Sequence, residues 1–141
     1  MRPLRESNPK GHRMAVDDIW KTQPEAHDYP AAQNYLTLVM DETIAKKVVV
    51  ALRRAKTEHR AAKDVLRASQ LPLLPRENSH VVADLKKIKK GKALSPVLLV
   101  RGDAANGAAM TVADGYHRIC ASWYRDENIL IACRIVTLPK R

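Results

Sequence analysis

Five consecutive residues, Asp114-Gly115-Tyr116-His117-Arg118, carry the side-chain types needed to handle a phosphate group. They join a β-branched run, MTV, to an apolar run at helical spacing, ICASW. At the start of a helix the first backbone N–H groups lack internal partners, and the helix dipole adds partial positive charge there. A glycine just before that point lets the chain turn sharply and lets an anion approach the backbone without meeting a Cβ. Gly115 holds that place. His117 adds a titratable donor and Arg118 a permanent one that can grip two phosphate oxygens. Asp114 has three roles open to it: capping the helix, holding a metal ion, or orienting the arginine. Singly these residues are commonplace, since Asp-Gly is an ordinary turn and His-Arg an ordinary exposed pair. Their combination at a strand-to-helix joint is what points to phosphate.

The elements that must position this joint can be read outward from it. PVLLVRG is a short apolar strand closed by Gly102, DAANGAA supplies a turn through Asn106-Gly107, and MTVA runs back as the partner strand. A helix is predicted from about Tyr116 to Arg125, followed by ILIACRIV as a buried strand. Upstream, HVVADLKKIKKGK reads as a helix with Val81, Val82, Leu85 and Ile88 inward and Gly91 ending it. Pro72 and Pro75 break the chain before it. DETIAKKVVVALRRAK places Ile44, Val48, Ala51 and Leu52 on one helical face behind Asp41, and EHRAAKDVLRASQL repeats the pattern with Ala61, Val65, Leu66 and Ala68. DYPAAQNYLTLVM begins as a helix behind Asp28, although its end, LTLVM, fits a short strand equally well. Residues 1–27 mix Pro, Gly, Asn and charge and read as a flexible basic arm. The organisation expected is an arm over 1–27, a helical lobe over 28–72 and an α/β (α+β) core over 73–141.

Composition bounds the possibilities. A chain of 141 residues, 45% hydrophobic, fits one globular domain with room for a small extra lobe. The formal net charge of +10 favours an anionic partner, nucleotide or nucleic acid. No apolar run approaches the ~18 residues of a membrane span. The start lacks the apolar stretch of a secretory signal, and Cys120 and Cys133 sit in apolar surroundings, so buried reduced thiols in a cytoplasmic protein are expected. His12, His27, His59 and His80 stand in isolated settings, and no metal site is expected. Phe is absent, which removes the aromatic platform of single-strand binders, and Trp123 and Tyr124 read as packing residues.

The stretches PVLLVR, MTVADGYHRICASW and IACRIV, with LLPRENSHVVADLKKIKKGKALSPVLLV upstream, resemble the ParB and sulfiredoxin superfamily over about residues 73–136. Its members carry a Gly-x-x-Arg turn at the head of a helix after a hairpin. The resemblance implies a ParB/sulfiredoxin-like core and a bound nucleoside triphosphate, ATP or CTP, with magnesium. It implies phosphate contacts from Gly115, His117 and Arg118, with Asp114 at the turn. By likeness to the free-serine kinases of the superfamily it also implies Glu77, in LPREN, as a catalytic base, with His117 beside it.

The departures narrow this. A sulfiredoxin carries its catalytic cysteine between the Gly and the His, where this chain has Tyr116, and Cys120 lies a helical turn further on. Sulfiredoxin chemistry is therefore not expected. The ParB box Gly-Glu-Arg-Arg is matched only at Gly115 and Arg118, and with the sequence closing at Arg141 a complete partition protein is not expected either. A nucleotide-binding domain, acting as a phosphotransferase or nucleotide hydrolase, is the first reading. The second is a non-enzymatic nucleic-acid or partner-binding module using the basic helices between Lys46 and Arg67 and the Lys-rich DLKKIKKGK. Nuclease activity ranks last, because Asp114 alone cannot hold two metals.

Overall fold

A computed structural model describes residues 19–139 of the chain. Its centre is β2, Val97–Val100, a strand with no polar residue and no exposed position. Such a strand needs cover on both faces and a neighbour on each edge. One edge takes β3, Thr111–Asp114, antiparallel; the other takes β4, Leu130–Val136, parallel. The far edge of β4 takes β1, Glu58–Ala61, antiparallel, so the sheet order is β1-β4-β2-β3.

Side-chain alternation sorts the helices onto two faces. Leu98, Val100 and Ala113 face helices α1, Asp28–Leu36, and α2, Glu42–Arg54, meeting Ala32, Leu36, Val48 and Leu52. Val97, Leu99, Val112 and Ile131 face the other way. There they meet Ala62 and Val65 of α3, Ala62–Ser69, Ile88 of α4, Ser79–Lys89, and Ile119 of α5, Tyr116–Arg125. The result is a mixed four-stranded sheet between two helical layers, with the helices of the N-terminal region forming one layer. No described helix is long and apolar enough to cross a membrane.

Most of the expected elements form, and the hairpin and the joint after it stand where the apolar runs put them. The hairpin connection is longer than a tight turn: a 3-10 turn over Ala104–Asn106 leads into Gly107, which takes the left-handed conformation. Three expectations are corrected. Residues 58–61, expected to be helical, form strand β1, because the backbone of Glu58 to Ala61 pairs with Cys133 to Leu130 of β4. Residues 28–72 therefore contribute a strand to the sheet and helices to both of its faces. The stretch LTLVM is neither strand nor continued helix; beyond Leu36 the chain turns into α2, leaving Leu38 81% exposed. Finally, the described end of the basic arm is fixed rather than flexible. Ile19 and Trp20 are buried, and residues 19–21 exchange backbone hydrogen bonds with Leu94. The arm before residue 19, with His12, lies outside the described residues.

The connection at 71–75 is tied to α5. Tyr116 donates its hydroxyl to the Pro72 carbonyl, and Tyr124 donates to that of Leu74 at 2.6 Å. These bonds hold the prolines against the helix that begins after the Asp114-Gly115 joint.

Candidate functional site

Gly115 sits at φ +110°, a conformation that L side chains rarely adopt. An added Cβ would lie 2.5 Å from Val97 Cγ1 and 2.9 Å from Arg118 Nη2. The glycine is thus required by the close approach of β2 and of the arginine, as well as by the turn. It sends the chain from β3 directly into α5, whose first turn carries His117 and Arg118.

Arg118 folds back over this turn. Its Nη2 donates to Asp114 Oδ2 at 3.0 Å and to the Pro96 carbonyl at 3.4 Å, while its buried Nε has no hydrogen-bond partner. Of the roles open to Asp114, orienting the arginine is the one the geometry displays; its side chain does not cap α5. Burial pushes the Asp114 carboxyl above its ordinary value, against the pull of the Arg118 charge and hydrogen bond.

The other wall of the site comes from α4. Asn78 caps this helix, accepting from the N–H groups of His80 at 2.9 Å and Val81 at 3.2 Å. That cap fixes the first turn so that the His80 ring lies against His117, centroids 4.5 Å apart and planes tilted by 39°. Asp84 and Lys87 follow on the same face at helical spacing, with the Lys87 Nζ 4.0 Å from Asp84 Oδ1. Between the two walls lies a cleft of about 250 Å³, lined from α4 by His80, Asp84 and Lys87. The joint contributes Asp114, Gly115, His117 and Arg118.

The electrostatics are mixed. Burial pulls His117 below its ordinary value, assisted by the neighbouring His80 and Arg118 and opposed by Asp84. His117 is therefore largely neutral at pH 7, with one N–H to donate and one nitrogen to accept. Burial pushes Asp84 up, against Lys87, Arg118, His117 and His80. Asp84, 9% exposed, is buried beside Val81 and Ile88 of the same helix, where a carboxylate is costly without a partner.

The structure brings together Asp114, Gly115, His117 and Arg118 and leaves Glu77 apart. Glu77 is exposed in the turn before α4 and does not line the cleft. Tyr116, in the position of a sulfiredoxin cysteine, turns to the 71–75 connection instead. Cys120 and Cys133 are free and buried; burial raises both thiols, that of Cys133 to about 12, so neither is a ready nucleophile. The residues the sequence reading missed are His80, Asp84 and Lys87. Their spacing, i, i+4 and i+7, was the available signal: a polar stripe running beside the apolar one of Val81, Leu85 and Ile88.

Among the described residues no group of three or more His, Cys, Asp or Glu could hold a metal ion. Comparison with protein-family models, with curated proteins and with solved structures gives no match.

Proposed function

We propose that this domain binds the phosphate end of a nucleotide, ATP or CTP being the ligands implied by its resemblance to the ParB and sulfiredoxin superfamily. The observation that carries the reading is the convergence of His80, Lys87, His117 and Arg118 on one cleft at the N-terminal end of α5. An incoming phosphate competes with Asp114 for the Arg118 guanidinium, which meets that carboxylate through Nη2. The free N–H groups of the first turn of α5 add to the attraction. The cleft is smaller than the ~300–1,000 Å³ of sites that enclose drug-sized ligands, so sugar and base would lie across its rim. Magnesium would enter on the phosphates, since the described residues present no group that could hold it. Because Glu77 stands outside the lining, phosphotransfer or hydrolysis is a weaker part of the proposal than binding.

The nucleic-acid reading has less support. Lys46, Lys47 and Arg54 belong to α2 on one side of the sheet, and Lys86 and Lys89 to α4 on the other, so the cations are divided between two surfaces.

Calorimetry with ATP, CTP, GTP and ADP in the presence of magnesium tests the proposal. The expected result is binding by the wild type that Arg118→Ala weakens by about tenfold or more, the scale of a lost charge-assisted hydrogen bond. A folded wild-type protein that binds none of the four sinks it.

A further inference from the structure

The cleft contains more than an anion site needs. Donors alone suffice to hold phosphate, and a carboxylate among them repels it. Asp114 has an evident use, since its Oδ2 anchors Arg118. Asp84 has none of that kind: its contact with a cation is the 4.0 Å approach of Lys87, whose own side chain is 56% exposed. It occupies a buried position on α4 and lines the same cleft as His117 and Arg118. Beyond that approach its carboxylate makes no hydrogen bond within the described residues, so a donor on a ligand in the cleft would supply its first.

Resting on the phosphate-binding reading above, we infer that Asp84 is a specificity-determining residue that accepts a hydrogen bond from a hydroxyl or ammonium group carried close to the phosphate. The ligand class is a phosphomonoester with a donor a few bonds from its ester oxygen. Arg118, His117 and Lys87 take the phosphate, and Asp84 reads the neighbouring donor. Bare phosphate and esters of plain alkyl groups leave the Asp84 carboxylate unpaired beside a second negative charge, and are discriminated against.

The test uses three small probes that differ at one atom: ethyl phosphate, 2-hydroxyethyl phosphate and 2-aminoethyl phosphate, each titrated calorimetrically with EDTA present to exclude metal bridging. The wild type is expected to bind the hydroxyl or the amino probe about tenfold more tightly than ethyl phosphate. Asp84→Ala should lose that preference while binding ethyl phosphate as well as or better than the wild type. Asp84→Asn, which keeps the shape and one acceptor, should lose most of any preference for the amino probe, and it guards against a folding defect in the alanine variant. Equal binding of all three probes by the wild type overturns the inference and leaves phosphate binding standing, as does a preference that survives in both variants. Failure of the wild type to bind any probe overturns the inference, and the nucleotide titration above then decides separately whether the phosphate site stands.

Discussion

Two arginines in this molecule meet opposite environments. Arg134, on β4, is buried and hydrogen-bonded to the protein through two of its nitrogens: Nη1 reaches the Tyr29 hydroxyl and the carbonyls of Leu52 and Arg53, and Nε reaches Thr57 Oγ1. The two carbonyls belong to the last turn of α2, where a cation also meets the negative end of the helix dipole. Arg118 faces a cleft, shares one nitrogen between Asp114 and Pro96, and keeps its Nε unpartnered. The first arginine joins a helix end to the sheet. The second is held by one carboxylate and one carbonyl at the edge of the cleft. Burial alone does not distinguish the two; the number and kind of their hydrogen-bond partners do.

Substitutions sharpen this contrast. Arg134→Met strands a tyrosine hydroxyl and two helix-end carbonyls, and should cost about 3 kcal/mol in urea unfolding. Its folded fraction should bind nucleotide as the wild type does. Gly115→Ala forces a left-handed alanine against Val97 and should cost about 2 to 3 kcal/mol by the same measurement. Arg118→Ala breaks a partly exposed pair and should cost only about 1 to 2 kcal/mol while weakening the proposed nucleotide binding by about tenfold or more. If Arg118→Ala proves as destabilising as Arg134→Met, the distinction between the two arginines collapses.

The smallest effect has the opposite sign. Because burial raises the Asp84 carboxyl above 3.8, the folded chain binds that proton more tightly than the unfolded one. The group's contribution to stability is present below 3.8 and is lost as pH rises through the raised value, leaving a net cost at neutral pH. Asp84→Asn removes that cost, so thermal melts should show a slightly more stable variant at pH 7. The gain should fade as pH falls through the raised value and vanish below 3.8. A variant less stable than the wild type at pH 7, with the difference vanishing below 3.8, would mean that the Lys87 ion pair outweighs the burial.

The same contrast between local and tertiary determinants explains what could be read from sequence. The β2–β3 hairpin, β4 and the joint at Asp114-Gly115 were legible because continuous apolar runs and a glycine specify them locally. Strand β1 was not: EHRA has no β-branched residue and favours helix, and it becomes a strand through pairing with β4. Its charged side chains suit an exposed sheet edge. Trp20 looked like part of a polar arm because its partner, Leu94, is remote in sequence. The joint half of the site was visible as a motif. The α4 half was visible only as the stripe His80, Asp84, Lys87, whose meaning depends on α4 packing against α5.

The sheet order has a consequence for how the chain acquires its structure. β4 is the last of the described strands to be synthesised, yet it lies inside the sheet, with β1 on one edge and β2 on the other. Until residues 130–136 are available, β1 has no strand to pair with, and β2 has only β3. These pairings span much of the chain, and such non-local contacts slow folding. A nascent chain therefore carries its apolar β2 paired on one edge only until β4 has been made and inserted.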